Sequence, residues 1–186
     1  GDYADLYKMY VTNKANFTAL GNENIVITGG TAEQVNTIAN LTTGKVTATI
    51  IDTAADLVAA LKNSASTDEL ILTVTGTAKA SDLITLDGKT SEDIKVNADV
   101  VSGTYADLNK VYVTNAANFA DLGAENVTIT DKTVAVGDAN TIAGATTGKV
   151  TATVAAGTST ALNALTADTE INALTLTVTG DALASE

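Results

Sequence analysis

Thr42-Thr43-Gly44-Lys45-Val46-Thr47-Ala48-Thr49-Ile50 returns almost letter for letter as Thr146-Thr147-Gly148-Lys149-Val150-Thr151-Ala152-Thr153-Val154. Each copy reads as a glycine suited to the left-handed end of a helix, then a strand with alternating faces. Val46, Ala48 and Ile50 share one face, while Thr47 and Thr49 share the other. A strand that is aliphatic on one side only needs a second layer over that side. The stretch is therefore read as one rung of a ladder: helix end, turn, half-buried strand.

Working outward, the repetition covers the whole chain. Tyr3-Ala4-Asp5-Leu6 matches Tyr105-Ala106-Asp107-Leu108, Tyr10-Val11-Thr12-Asn13 matches Tyr112-Val113-Thr114-Asn115, and Leu20-Gly21 matches Leu122-Gly123, all at an offset of 102. After a two-residue insertion near Val136 the offset becomes 104, so that Leu72-Thr73-Val74-Thr75-Gly76 matches Leu176-Thr177-Val178-Thr179-Gly180. Residues 1–102 form a first long repeat and 103–186 a second, expected to be a truncated copy from a longer array.

A shorter period lies inside the long one. Candidate strands are Asn24–Thr28, Lys45–Ile50, Glu69–Thr75, Asp93–Val101, Asn126–Thr130, Lys149–Val154 and Ala173–Thr179. Measured from Ile25, Val46, Leu70, Ile94, Val127, Val150 and Leu174, the steps are 21, 24, 24, 33, 23 and 24. Most lie close to 23, a solenoid-like period. Between strands, Ala32/Val35/Ile38/Leu41, Ala54/Leu57/Val58/Leu61, Ala139/Ile142/Ala143 and Ala161/Leu162/Leu165 fall at helical spacing. Thr31 with Gln34, Asp52 or Thr53, Thr104 with Asp107, and Asp181 supply N-caps; Gly44, Gly88, Gly123 and Gly148 are placed at helix ends. Strand, turn, helix and strand at this spacing imply parallel strands with right-handed crossovers. The expected fold class is α/β: one continuous right-handed α/β solenoid of about 23-residue rungs with one parallel sheet. A pair of tandem Ig-like β-sandwiches is the competing architecture, since a repeat of about 100 residues also fits that domain. The Ala-rich helical stretches, above all Thr53–Lys62, and the lack of Pro and Trp stand against it.

All seven aromatic residues fall in the segment that opens each long repeat: Tyr3, Tyr7, Tyr10 and Phe17, then Tyr105, Tyr112 and Phe119. They are read as filling the larger gap at the long step, with an aromatic contact patch for a neighbouring module or a sugar ring as the other reading.

Composition narrows function. With no His and no Cys in 186 residues, there is no Ser-His or Cys-His pair, no disulfide and no histidine or cysteine metal cluster. A net charge of −12, with every basic residue a Lys, argues against nucleic acid and against anionic membrane surfaces. No apolar run reaches the roughly 18 residues of a membrane span. Gly144-Ala145-Thr146-Thr147-Gly148-Lys149 is one residue short of a phosphate loop and has Val150 where Ser or Thr would hold magnesium. The chain is read as not an enzyme and as carrying no obligate cofactor. Calcium is the one ion the sequence leaves open, through Asp52, Asp87, Asp99 and Asp131 at expected turns, although no calcium-loop motif is present. The most specific surface feature is the threonine set Thr47, Thr49, Thr73, Thr75, Thr151, Thr153, Thr175 and Thr177. On adjacent parallel strands these would stand in ranks about 4.8 Å apart. Such ranks resemble the ice-binding faces of β-solenoid antifreeze proteins.

The units Thr-Gly-Lys-Val-Thr-Ala-Thr, Asp-Thr-Ala-Ala-Asp-Leu and Leu-Thr-Val-Thr-Gly-Thr-Ala resemble the tandem repeats of very large secreted or surface-attached bacterial proteins, including cyanobacterial, adhesin-like and surface-layer-like ones. The resemblance implies a structural repeat segment, extracellular or at the cell surface, that acts as an elongated spacer, filament or layer element. Its partners would be neighbouring repeats or copies of itself. The alternative is a binding module that meets ice or glycan through the threonine face or the aromatic segments.

Overall fold

The computed structural model describes residues 1–167 and 171–180. It is a mixed α/β structure with one parallel sheet. The first copy runs α1 (Tyr3–Tyr7), β1 (Ile25–Val26), α2 (Ala32–Ala39), β2 (Val46–Thr53), α3 (Ala54–Ala60), β3 (Glu69–Lys79), α4 (Ala80–Asp87) and β4 (Ile94–Gly103). The second runs α5 (Tyr105–Asn109), β5 (Phe119–Ala120), β6 (Asn126–Ile129), α6 (Val136–Ala143), β7 (Val150–Thr153), α7 (Ser159–Leu162) and β8 (Ala173–Thr175). In both copies the opening helix first widens into a π turn, Lys8–Thr12 or Lys110–Thr114, and then tightens into a 3-10 turn, Lys14–Asn16 or Ala116–Asn118. The change of helical pitch falls at the asparagines Asn13 and Asn16, or Asn115 and Asn118.

The strands lie in the order β1-β2-β3-β4-β6-β7-β8, with β5 also beside β4, and every pairing among them is parallel. The antiparallel sheets of an Ig-like sandwich are therefore not formed. Val46, Ala48 and Ile50 are buried, as are Leu70, Leu72 and Val74, and they join Val35, Ile38, Leu57, Leu83 and Leu86 of the helices in one core. This is the aliphatic face that the alternation predicts, covered by the helices that the spacing predicts.

Register differs from the sequence expectation. Val46 does stand beside Ile25, but Leu70 stands beside Ala48 and not Val46, so β2 and β3 are offset by 22 residues. The same two-residue correction applies at Leu174, which stands beside Ala152. A slip of two keeps every side chain on its face, which is why burial was predicted correctly and register was not. The long step has a different cause. β4 has two successive neighbours: Ile94 faces Phe119 of β5, and Val101 faces Val127 of β6. The 33-residue step arises from matching the start of β4 to a strand that pairs with its far end.

Helix starts follow the sequence. Thr31 and Gln34 form a reciprocal capping box, and Thr53 and Thr104 cap α3 and α5. Asp181 lies outside the described residues. Of the four expected glycine ends only Gly88 stands at one, and Gly123, at φ +109°, lies in the loop between β5 and β6. Gly88 ends α4 with φ −79°, and Asn40 and Gly144 end α2 and α6 with φ −72° and −75°. Neither Gly44 nor Gly148 has a positive φ. Their need for glycine is steric. A Cβ on Gly44 would sit 2.2 Å from the Glu23 carbonyl oxygen, and one on Gly148 would sit 2.1 Å from that of Glu125. Gly76 is the position where positive φ matters: at +72° it carries the bulge at which the β3–β4 register shifts.

Candidate functional surfaces

The quoted stretch takes part in a polar latch, built twice. In the first copy the Tyr10 hydroxyl, from the π turn, donates to Glu23 Oε2 at 2.9 Å, and the Gly21 amide donates to the same oxygen at 2.8 Å. Thr42 Oγ1 donates to the Glu23 carbonyl (2.8 Å) and accepts from Gly44 N (2.9 Å), while Lys45 N donates to Asn24 Oδ1 (2.9 Å). The second copy repeats this with Tyr112 (3.2 Å) and Gly123 (2.9 Å) on Glu125, Thr146 on the Glu125 carbonyl (2.9 Å), and Lys149 N on Asn126 (2.9 Å). Each latch ties the loop before a strand to the turn before the next one. The close approach over Gly44 or Gly148 is what brings the two backbones together.

Glu125 is 4% exposed. A carboxylate so placed costs several kcal/mol unless donors surround it, about the level that the tyrosine and backbone donors offset. Burial raises the Tyr112 hydroxyl well above its ordinary value, with the Glu125 charge adding to the effect. Tyr10 is pushed up to about 12, chiefly by burial and then by its bond to Glu23. The Gly21 amide, first among several donors, holds Glu23 below the usual carboxylate range.

Strand starts are held by side chains of the next rung. Asp68 is buried and accepts from Val46 N (2.8 Å) and Ala65 N (2.9 Å). Thr90 Oγ1 accepts from Leu70 N (2.9 Å), and Asn172 Oδ1 accepts from Val150 N (2.7 Å). None of Glu23, Glu125, Asp68 or Thr90 was singled out from sequence. The repeated Gly21-Asn22-Glu23-Asn24 and Gly123-Ala124-Glu125-Asn126 was the available signal for the first two.

The threonines share the outer sheet face, but register breaks their ranks. Thr47 stands beside Glu69, Thr49 beside Ile71, and Thr73 between Ile51 and Lys95. Thr75 stands between Thr53 and Asn97, Thr151 between Thr128 and Ala173, and Thr153 beside Thr175. Thr177 lies beyond β8, its carbonyl accepting from Gly157 N at 3.1 Å. Among the described residues no paired row brings three threonines side by side, so the expected ranks are interrupted. The Lys45 ammonium and the Thr47 hydroxyl both bind the Glu69 carboxylate, which the lysine, first, and the threonine hold below its ordinary range. Val26, Ile51 and Ile71 are exposed on the same face.

The four turn aspartates are dispersed. Asp52 lies in β2, not in a turn, and accepts from the Thr53 amide at 2.8 Å. Asp87, at the end of α4, accepts from the side-chain amides of Asn115 (3.4 Å) and Asn118 (3.0 Å). Asp131 accepts from Tyr105 N at 2.5 Å and so caps α5 from the following rung. Asp99 lies in β4, not in a turn, and lines a cleft of about 380 Å³ with Asp121 and Glu125 where the ladder passes from β5 to β6. Asp121 is paired with Lys95 at 3.3 Å. Among the described residues no group of three or more Asp and Glu side chains converges on a common point, and none of the described helices is long and apolar enough to cross a membrane.

The aromatics divide. Tyr10, Tyr112 and Phe119 are in the core, while Tyr7 and Phe17 are exposed at 39% and 46%. Comparisons with known protein families, with curated proteins and with solved structures give no match.

Proposed function

We propose that this chain is a structural repeat segment of an extracellular or cell-surface protein: a right-handed α/β solenoid serving as an elongated spacer, filament or layer element, with no catalytic role. The observation that carries the reading is the duplicated latch. Tyr10 and Glu23 recur 102 residues on and Thr42 recurs 104 residues on, building the same tyrosine–glutamate–threonine contacts beside the strands of one parallel sheet. Interactions of that kind join each rung to its neighbours, so stability accumulates along a line and not around a centre. A net charge of −12 keeps parallel rods apart unless cations or a specific contact screen it. The composition and the strand motifs suit the tandem repeats of large surface-attached bacterial proteins, with adjacent repeats as the natural partners.

Small-angle scattering on chains with one, two and three long repeats tests the reading. Each added copy brings the four strands β1 to β4, and four spacings of about 4.8 Å should lengthen the particle by about 19 Å at constant cross-section. A radius of gyration that grows as for a compact globule would sink the spacer reading.

A further inference from the structure

The two copies carry equivalent surfaces that are covered to different extents. The face of the second copy formed by α5, its π turn, β5 and β6 is packed against α4 and β4 of the first. There Phe119 is 5% exposed, Val111 is fully buried, Asp87 receives the Asn115 and Asn118 amides, and Val100 to Gly103 pair with Asn126 to Ile129. At the matching positions of the first copy nothing among the described residues plays that part. Phe17 is 46% and Val26 56% exposed. The side-chain amides of Asn13 and Asn16 face solvent, with no partner among the described residues. A cleft of about 370 Å³ opens between Leu6, Met9, Tyr10 and Ile25. Gly1 already imitates Gly103: its carbonyl accepts from Thr28 N at 3.0 Å, as that of Gly103 accepts from Thr130 N at 2.8 Å.

We infer that this open face, formed by α1, its π turn, Phe17 and the free edge of β1, is a docking site for a helix–strand rung of the α4–β4 kind. The occupant is a second copy of the segment Ala80–Gly103. Its strand would add parallel to β1, its aliphatic face would fill the cleft, and the carboxylate at the end of its helix would receive the Asn13 and Asn16 amides. The protein's own α4–β4 rung is engaged by α5, β5 and β6, so the occupant comes from another copy of the repeat. Main-chain bonds to an exposed strand edge supply affinity, and the side-chain pockets supply the choice of rung. The inference rests on the solenoid reading above and names the surface that takes the α4–β4 rung of another copy.

The test is the full chain carrying residues 69–102 directly before Gly1, so that Ser102-Gly1 reproduces Ser102-Gly103. Amide hydrogen exchange should slow at least 100-fold at Val26, and Phe17→Ala, neutral in the parent chain, should lower the denaturation midpoint of the extended one. Asp87→Ala within the extension should return part of the protection, about tenfold. Unchanged exchange at Val26, or equal protection from an extension of the same composition in scrambled order, would overturn the inference. Scattering on the same samples separates the two ideas. Protection without the expected lengthening keeps the docking site and breaks the spacer reading, whereas lengthening without protection does the reverse.

Discussion

Phe17 and Phe119 hold the same place in the two copies, yet one is 46% exposed and the other 5%. Tyr10 and Tyr112 also hold a shared place, and both are buried, at 3% and 6%. The difference separates two kinds of contact. The tyrosine meets a glutamate of its own copy, thirteen residues on, and is covered wherever the copy folds. The phenylalanine opens β5, which pairs with the start of β4 in the first copy, so it is buried where a strand of the other copy lies beside it. How much a residue contributes depends on which of these two contacts it makes.

The largest expected effect probes what the copies share. Gly44→Ala and Gly148→Ala each place a Cβ near 2 Å from a backbone carbonyl of the adjoining loop, at 2.2 and 2.1 Å. Neither contact relaxes by a rotamer change, so the two backbones must separate. We expect each to cost on the order of 4 kcal/mol, among the larger single-site losses, read from urea denaturation. A loss under about 1 kcal/mol at either site would mean that the loops part easily and that the latch is not rigid.

Phe119→Ala and Phe17→Ala probe what the copies do not share. Removing a buried phenyl ring costs about 3 kcal/mol or more, while an exposed one falls within about 0.5 kcal/mol. Equal losses would show that Phe17 is covered after all and would erase the contrast between within-copy and between-rung burial.

Tyr112→Phe and Tyr10→Phe sharpen it further. Each removes one donor from a glutamate and leaves the backbone donor in place. The expected cost is about 1–2 kcal/mol at Tyr112, where Glu125 is buried, and less at Tyr10, where Glu23 is partly exposed and water can replace the hydroxyl. Denaturant midpoints of the two variants decide it, and the reverse order would contradict the burial difference.

What the sequence made legible follows from which interactions are periodic. The alternation in Val46–Ile50 and Leu70–Val74 reports which face is buried, because burial has a period of two. Thr31-x-x-Gln34 reports a helix start, because a cap is local. Register is neither periodic nor local: Leu70 beside Ala48 is as compatible with the pattern as Leu70 beside Val46, and the threonine ranks were lost to that ambiguity. Gly44 shows the other limit. A glycine demanded by a carbonyl 21 residues away in the chain looks, in sequence, like a glycine demanded by its own φ. Phe119 fills interior space as its place at the long step predicts, but its two-residue strand β5 carries no alternation that would reveal the strand.

Alkaline pH gives the smallest effect and tests the latch without a large structural change. Burial raises the hydroxyls of Tyr10, to about 12, and Tyr112 above the ordinary tyrosine value of 10.0. A folded-state value above the unfolded one means that the native protein holds its proton longer. The stabilisation is complete below about pH 10 and is lost as pH rises through the folded-state values. Glu23 acts at the other end: its lowered value contributes stability above the carboxylate range that disappears on acidification. Denaturation midpoints should therefore fall between about pH 10 and 12, and the Tyr10→Phe, Tyr112→Phe double variant, already weaker at pH 8, should fall less steeply across that window. A double variant whose alkaline slope equals that of the parent would place the titration elsewhere, on Tyr105, which burial and Asp138 also raise, and would remove the tyrosine–glutamate bond as the shared element of the two copies.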